Sequence, residues 1–247
     1  VELEEAGISS CSIVRRRQHS LVRNLVYFEG FVLTRHASMN PQLERMKNFL
    51  VLACSVFAIV GSISSAFAAD WPAWRGALGD GTVADSKAPV KWSLPENLVW
   101  KKPLPGKGHA SPIILGDRIY LVTAMEEEQT RDLICLDRAT GKKLWSKVVL
   151  KSPFEGVHRL NSRASSTPSS DGERIYLSFL DRDKMFVAAY DLYGKKLWEA
   201  RPGVFSSKHG YCSSPVLWKD KIIINGDHDG PGYLVALDKK TGETIWK

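Results

Sequence analysis

Four cysteines are spread through 247 residues, and no two of them are adjacent. The chain also has no histidine pair at zinc spacing, no glycine-rich phosphate cradle and no Gly-x-Ser-x-Gly elbow. Those absences remove the commonest signatures of zinc hydrolases, phosphoryl-transfer enzymes and serine hydrolases. A concentrated field of positive charge is missing too. The net charge is +7, but the lysines are scattered as Lys101–Lys102, Lys142–Lys143, Lys195–Lys196 and Lys239–Lys240. A nucleic-acid binder gathers its cations in a stripe with interleaved aromatics. Pairs in hairpin contexts read instead as solvated strand edges, where lysine blocks edge-to-edge pairing. No nucleic-acid partner is expected.

What is present begins with an export address. Met46-Lys47-Asn48 precedes the apolar run Phe49–Val60, and Ala66-Phe67-Ala68 supplies small residues before Ala69-Asp70. This order describes a secretory signal peptide over 46–68, cut after Ala68. Two rivals are a retained anchor over 49–69, weakened by Ser62, Ser64 and Ser65, and a lipoprotein cut before Cys54, crowded by Lys47. Residues 1–45 show no sustained period and read as a spurious or disordered leader. The mature chain is expected to be periplasmic or secreted, without stable membrane insertion after cleavage.

Beyond residue 100 a repeat governs the chain. Its first copy runs from Ser111-Pro112 through Arg118-Ile119-Tyr120-Leu121 to Leu136-Asp137-Arg138-Ala139-Thr140-Gly141-Lys142-Lys143-Leu144-Trp145. The second has Thr167-Pro168, Arg174-Ile175-Tyr176-Leu177 and Asp191-Leu192-Tyr193-Gly194-Lys195-Lys196-Leu197-Trp198. The third has Ser214-Pro215, Lys221-Ile222-Ile223-Ile224 and Asp238-Lys239-Lys240-Thr241-Gly242-Glu243-Thr244-Ile245-Trp246. The middle copy sets Asp191 three residues before Gly194 instead of four, which predicts a tighter turn. Each copy holds four short apolar runs bounded by turn residues, so each reads as four strands. Several runs are apolar on both faces, as in a sheet sandwiched between neighbours. In Asp-x-x-Thr-Gly the carboxylate accepts backbone N–H groups and the glycine closes the turn. The Trp four residues on offers a flat surface to the next sheet. Four-stranded units of this length stacked side by side are propeller blades.

Leu136–Trp145 and Asp238–Trp246 resemble the tryptophan-docking motif of the pyrroloquinoline-quinone-like (PQQ-like) repeat propellers. Trp71-Pro72-Ala73-Trp74-Arg75-Gly76 with Gly79-Asp80-Gly81 is similar to the opening of a secreted, planctomycete-type branch of that family. The resemblance implies an all-β partial propeller over 69–247, with blades at about 110–150, 165–203 and 212–247. Trp145, Trp198 and Trp246 with Gly141, Gly194 and Gly242 are then its structural docking residues. Family propellers close with more blades, so the chain is expected to be a truncated piece. Trp100 resembles the Trp-bearing strand of a further blade.

In quinoprotein dehydrogenases of this fold the resemblance implies a quinone stacked on an aromatic residue beside calcium, often under a disulfide of adjacent cysteines. This chain has no such cysteine pair, and Cys135 reads as core. Residues entering the innermost strands are the ligand-binding candidates: His109, Asn161, Arg163, His209 and Tyr211. Asp227 and Asp229 are weak metal candidates, because Asp/Asn/Gly clusters mostly build turns. No cofactor is assigned; PQQ with calcium is the alternative. The enzyme reading rests on little. The expected function is an exported, non-enzymatic binding or scaffold propeller, like the propeller lipoprotein of the outer-membrane β-barrel assembly machine, serving a protein or a small polar ligand. The alternative is a fragment of a PQQ-dependent dehydrogenase.

Overall fold

The computed structural model describes residues 10–14, 70–83, 88–93 and 96–247. The chain divides into two units, residues 1–16 with 69–247, and residues 17–68. The expected signal peptide lies outside the described residues.

All described regular structure is β. Strands β1 (Ser10–Val14) and β2 (Leu98–Pro103) form an antiparallel pair. β3 (Ile113–Leu115), β4 (Arg118–Met125), β5 (Thr130–Asp137) and β6 (Lys143–Lys151) form the first four-stranded sheet, in chain order. The second holds β7 (Ser169–Ser170), β8 (Arg174–Asp181), β9 (Lys184–Asp191) and β10 (Lys196–Ala200). The third holds β11 (Val216–Trp218), β12 (Lys221–Gly226), β13 (Tyr233–Asp238) and β14 (Thr244–Trp246). These are three antiparallel blades of a partial propeller. The edge of β2 carries N–H and C=O groups that need partners, and Ser10–Val14 supplies them from Ser10 opposite Pro103 to Val14 opposite Leu98.

The cores lie between sheets. Alternate residues of a strand face opposite ways, so Tyr120, Val122, Leu133 and Cys135 meet Ile175, Leu177, Phe179 and Phe186 across the first joint. The opposite faces of β8 and β9, with Tyr176, Met185 and Val187, meet Ile222, Ile224, Val235 and Leu237 across the second. Blade two is therefore buried on both faces, and the six central residues of β8 form one continuous buried run. Blade three is covered on one face only, so β12 alternates between buried Ile222 and Ile224 and more exposed Ile223 and Asn225. Each fully buried Ile, Leu or Phe contributes roughly 1.5–3 kcal/mol. Cys135 sits in the first core, where burial pushes its thiol up to about 11; Cys212 is exposed, and both are free.

Two devices fix the angle between blades. Trp100 lies against Gly141 and donates its indole N–H to Arg138 O at 3.0 Å; Trp198 lies against Gly242 and donates to Lys239 O at 3.2 Å. A Cβ on Gly141 or Gly242 would stand 2.6 or 2.5 Å from the ring, and both glycines have left-handed φ (69° and 77°). Glycine is required there twice over, for conformation and for space. The middle turn is tighter: the Gly194 N–H reaches Asp191 O, three residues back, while Gly141 and Gly242 reach back four, to Asp137 and Asp238. Leu192 O, the equivalent of Arg138 O, is taken by Arg118 Nη1 (2.8 Å) and the Tyr120 hydroxyl (3.1 Å) of blade one. Trp145 packs near Gly194 with its indole N–H buried and unpartnered. At the inner edge, Ser111 N–H donates to Thr167 Oγ1 and Thr167 N–H to Ser214 Oγ, each at 3.0 Å, linking the Ser/Thr-Pro steps of consecutive blades.

Two outcomes follow for stability. Trp198→Ala should cost about 3–5 kcal/mol, as for a buried aromatic left as a cavity, whereas Trp246, 42% exposed, should cost far less. Gly242→Ala should likewise cost more than Gly116→Ala, where φ is positive but no atom stands within 4 Å of the new methyl; urea unfolding midpoints rank all four variants.

The second outcome concerns acid. The Asp137 carboxyl is held below the ordinary carboxylate range by the Thr140 hydroxyl and N–H, and Asp238 by the Thr241 and Lys240 N–H groups. Depressed values contribute stability above the unfolded pKa of about 3.9, and that stability is lost as pH falls through the folded value. The Asp137→Asn, Asp238→Asn double variant should unfold earlier than wild type at neutral pH. The gap should close once both carboxyls of wild type are protonated, read as midpoints across an acid series.

Candidate functional site

The antiparallel order sorts the loops. The turns β4–β5, β8–β9 and β12–β13, with the long connections over 152–168 and 201–215, share one end of the sheets. The Asp-x-x-Thr-Gly turns occupy the other. All five ligand-binding candidates fall at the first end, in three groupings. Asn161 spans the two long connections: its Nδ2 donates to His209 O at 2.6 Å, while its Oδ1 accepts from Ser162 N (2.8 Å) and Ser165 Oγ (2.6 Å). The exposed His209 ring lies 5.4 Å from that of His158. Arg163 and Tyr211 border one narrow gap, together with Glu155, Ser165, Ser166 and Ser178. The Tyr211 hydroxyl donates to Ser178 Oγ at 3.0 Å, and burial pushes its pKa above the ordinary phenol value. His109 is exposed and is held through its backbone N–H, which donates to Ala164 O and Ser162 Oγ, both at 3.1 Å.

The strongest electrostatic feature was not singled out by sequence. Arg131, on β5, is completely buried and pairs with Glu155; its Nη1 donates to Ser152 O at 2.8 Å, and its Nε has no partner. The Phe154 ring has the Arg131 guanidinium at 4.4 Å and that of Arg163 at 4.8 Å. Arg163 also donates from Nε to Glu155 O at 3.1 Å. Burial lowers Arg131 and raises the Glu155 carboxyl, each against the attraction of the other. Period-two spacing from Leu133 and Cys135 does put Arg131 on the core-facing side of β5, a readable signal. Phe154 and Glu155 lie in a connection that carries none.

Beside this cluster an open cleft of about 500 Å³ separates Phe154, Glu155, Gly156 and Val157 from Phe205, Ser206, Ser207 and Lys208, with Leu180, Arg182 and Asp183 between. The metal candidates stand behind its second wall. Asp229 Oδ2 accepts the Lys208 N–H at 2.9 Å, Asp229 N–H donates to Ser206 O at 3.0 Å, and Asn225 Oδ1 accepts the Asp227 N–H at 2.8 Å. Among the described residues no three His, Cys, Asp or Glu side chains gather.

Four-stranded antiparallel blades joined by Trp-on-Gly docking define a β-propeller class. Residues 90–201 match the family model described as outer membrane protein assembly factor BamB. The chain is 27% identical over 230 residues to quinoprotein ethanol dehydrogenase of Pseudomonas aeruginosa, covering 79% of itself and 35% of that protein. It is 28% identical over 158 residues to the Pseudomonas putida enzyme of the same name, covering 57% of itself and 23% of the enzyme. The chain thus spans about a quarter to a third of the curated relatives it matches. Among solved structures, BamB from Moraxella catarrhalis aligns with a TM-score of 0.45 at 18% identity, over 60% of this chain and 42% of that one. A europium-containing methanol dehydrogenase aligns at 0.43 and 20%, over 56% and 24%. Over residues 90–201, and in its three four-stranded blades, the chain is similar to the PQQ-like repeat β-propellers. The matches stop short of the narrower branch suggested by Trp71–Gly76.

Calcium beside a quinone needs converging oxygen ligands with charge to spare. The described carboxylate deepest at this end, Glu155, is already engaged by Arg131, and Asp229 is engaged by a backbone N–H. The described residues do not fit that group.

Removing one partner of a buried ion pair strands the other, at about 3–5 kcal/mol. Glu155→Gln should therefore destabilise the protein by that order. Glu155→Gln combined with Arg131→Met should recover much of the loss, measured as a double-mutant cycle in denaturant.

Proposed function

We propose that this chain is part of an exported, non-enzymatic binding propeller, and that its ligand or partner protein engages the end of the blades carrying the two long connections. The observation that carries this reading is the use of the polar side chains there. Asn161, Tyr211, Glu155, Arg131 and Asp229 are engaged in bonds that hold loops in place, and a cleft of about 500 Å³ remains open between those loops. Such a volume lies in the range of ligand sites. Tyr211, with its raised pKa, is poorly suited to acid–base work at neutral pH. The apolar run Phe49–Val60 and Ala66-Phe67-Ala68 support export to the periplasm or beyond. The family model's BamB description is in keeping with a scaffold role.

The sequence relatives favour a second reading, since both are quinoprotein ethanol dehydrogenases. Titration of the full chain with PQQ and calcium separates the two. A binding propeller should show no saturable uptake below high micromolar quinone and no dye-linked alcohol oxidation. Tight uptake with turnover would make the chain a dehydrogenase fragment.

A further inference from the structure

The open cleft has two walls held from behind. One is residues 154–157, fixed by the Arg131–Glu155 pair and by Arg163 Nε on Glu155 O. The other is residues 205–208, fixed by Phe205 N–H on Asp183 O (2.8 Å), Asp229 N–H on Ser206 O (3.0 Å) and Lys208 N–H on Asp229 Oδ2 (2.9 Å). Apolar surface comes from Phe154, Val157, Leu180 and Phe205. Two cations stand on the lining, Arg182 and Lys208, and neither side chain makes a hydrogen bond or ion pair among the described residues. Of the two lining acids, Glu155 is neutralised by Arg131, which leaves Asp183; behind the lining, Asp181 also feels Arg182 but is already held by Arg201.

Arg182 also occupies a costly position. It is the first residue of the two-residue turn between Asp181 and Lys184, with φ 61°, where glycine is at home and a long side chain is not. An arginine held in the left-handed region on the rim of a cleft is a reason to look for a ligand there.

From these features we infer that the cleft binds an extended acidic segment of a partner protein, with a carboxylate on Arg182 and Lys208 and a neighbouring apolar side chain against Phe154, Val157 and Phe205. This deepens the binding-propeller reading and rests on it. A peptide chain is favoured over an enclosed small acid because the cleft is open between two chain segments. Its polar contacts also sit on the rim, not at an enclosed end.

The test is fluorescence anisotropy of labelled Leu-Asp-Phe-Glu-Leu with the full chain. Saturable binding is expected, weakened about tenfold by high salt and about tenfold or more by Arg182→Gly with Lys208→Ala. Arg182→Gly relieves the strained turn, so the variant should keep or raise its unfolding midpoint while losing affinity, which separates recognition from folding. Three results would overturn the inference: equal binding of Leu-Asn-Phe-Gln-Leu, no effect of the two substitutions, or displacement of the peptide by phenylacetate at matching affinity, which would assign the cleft to a small acid. Absence of peptide binding with the quinone titration also blank overturns this inference and leaves the binding-propeller reading standing.

Discussion

Everything in this molecule depends on how one flat indole meets a residue with no side chain. A sheet of four strands cannot bury both its faces alone, so each blade needs its neighbour at a fixed distance and angle. The tryptophan at the outer strand of one unit and the glycine in the turn of the next set both. The ring fills the gap, and its N–H finds a backbone carbonyl that would otherwise be left unsatisfied. At the inner edge the Thr167 and Ser214 hydroxyls, each before a proline, accept a backbone N–H from the preceding blade. With both edges pinned, the apolar residues of the central strands have one way to interleave.

This arrangement explains why the fold was legible and the site was not. The docking pair imposes a residue type, a spacing and a repeat, so Asp137–Trp145 and Asp238–Trp246 announce strand, turn and strand without reference to contacts. Cys135 could be placed in the core from its run of apolar neighbours. The cleft leaves no such trace. Arg131 lies in a strand whose alternation does place it inward, yet its partner Glu155 is remote in sequence and sits in an irregular connection. Phe154 owes its place to two guanidinium groups, an arrangement that only the folded chain brings together. Sequence also gathered His109, Asn161, Arg163, His209 and Tyr211 as one set, since all enter inner strands. In the fold they form three groupings: Asn161 with His209, Arg163 with Tyr211 beside one gap, and His109 on Ser162 and Ala164.

The two ends of the blades carry different duties. At one, short turns repeat with little variation, because each must receive a tryptophan. At the other, the connections differ in length and composition and are held by individual bonds: Asn161 to His209 O, Asp229 to Lys208, Arg131 to Glu155. Loops freed from docking can vary while the sheets stay fixed, which is the usual division between scaffold and recognition surface.

The joint between the first and second blades has a lesson in how repeats age. The middle turn is one residue shorter than its siblings, and Leu192 O no longer receives an indole N–H. That carbonyl is not orphaned: Arg118 and Tyr120 reach it from the opposite sheet. The Trp145 ring stays wedged in place by shape alone. The shorter turn of one module is thus accommodated by its immediate neighbour, and the turn of the module beyond keeps the longer form. Errors in such an architecture stay local, so individual copies can drift apart in sequence long after the common frame has ceased to tolerate change.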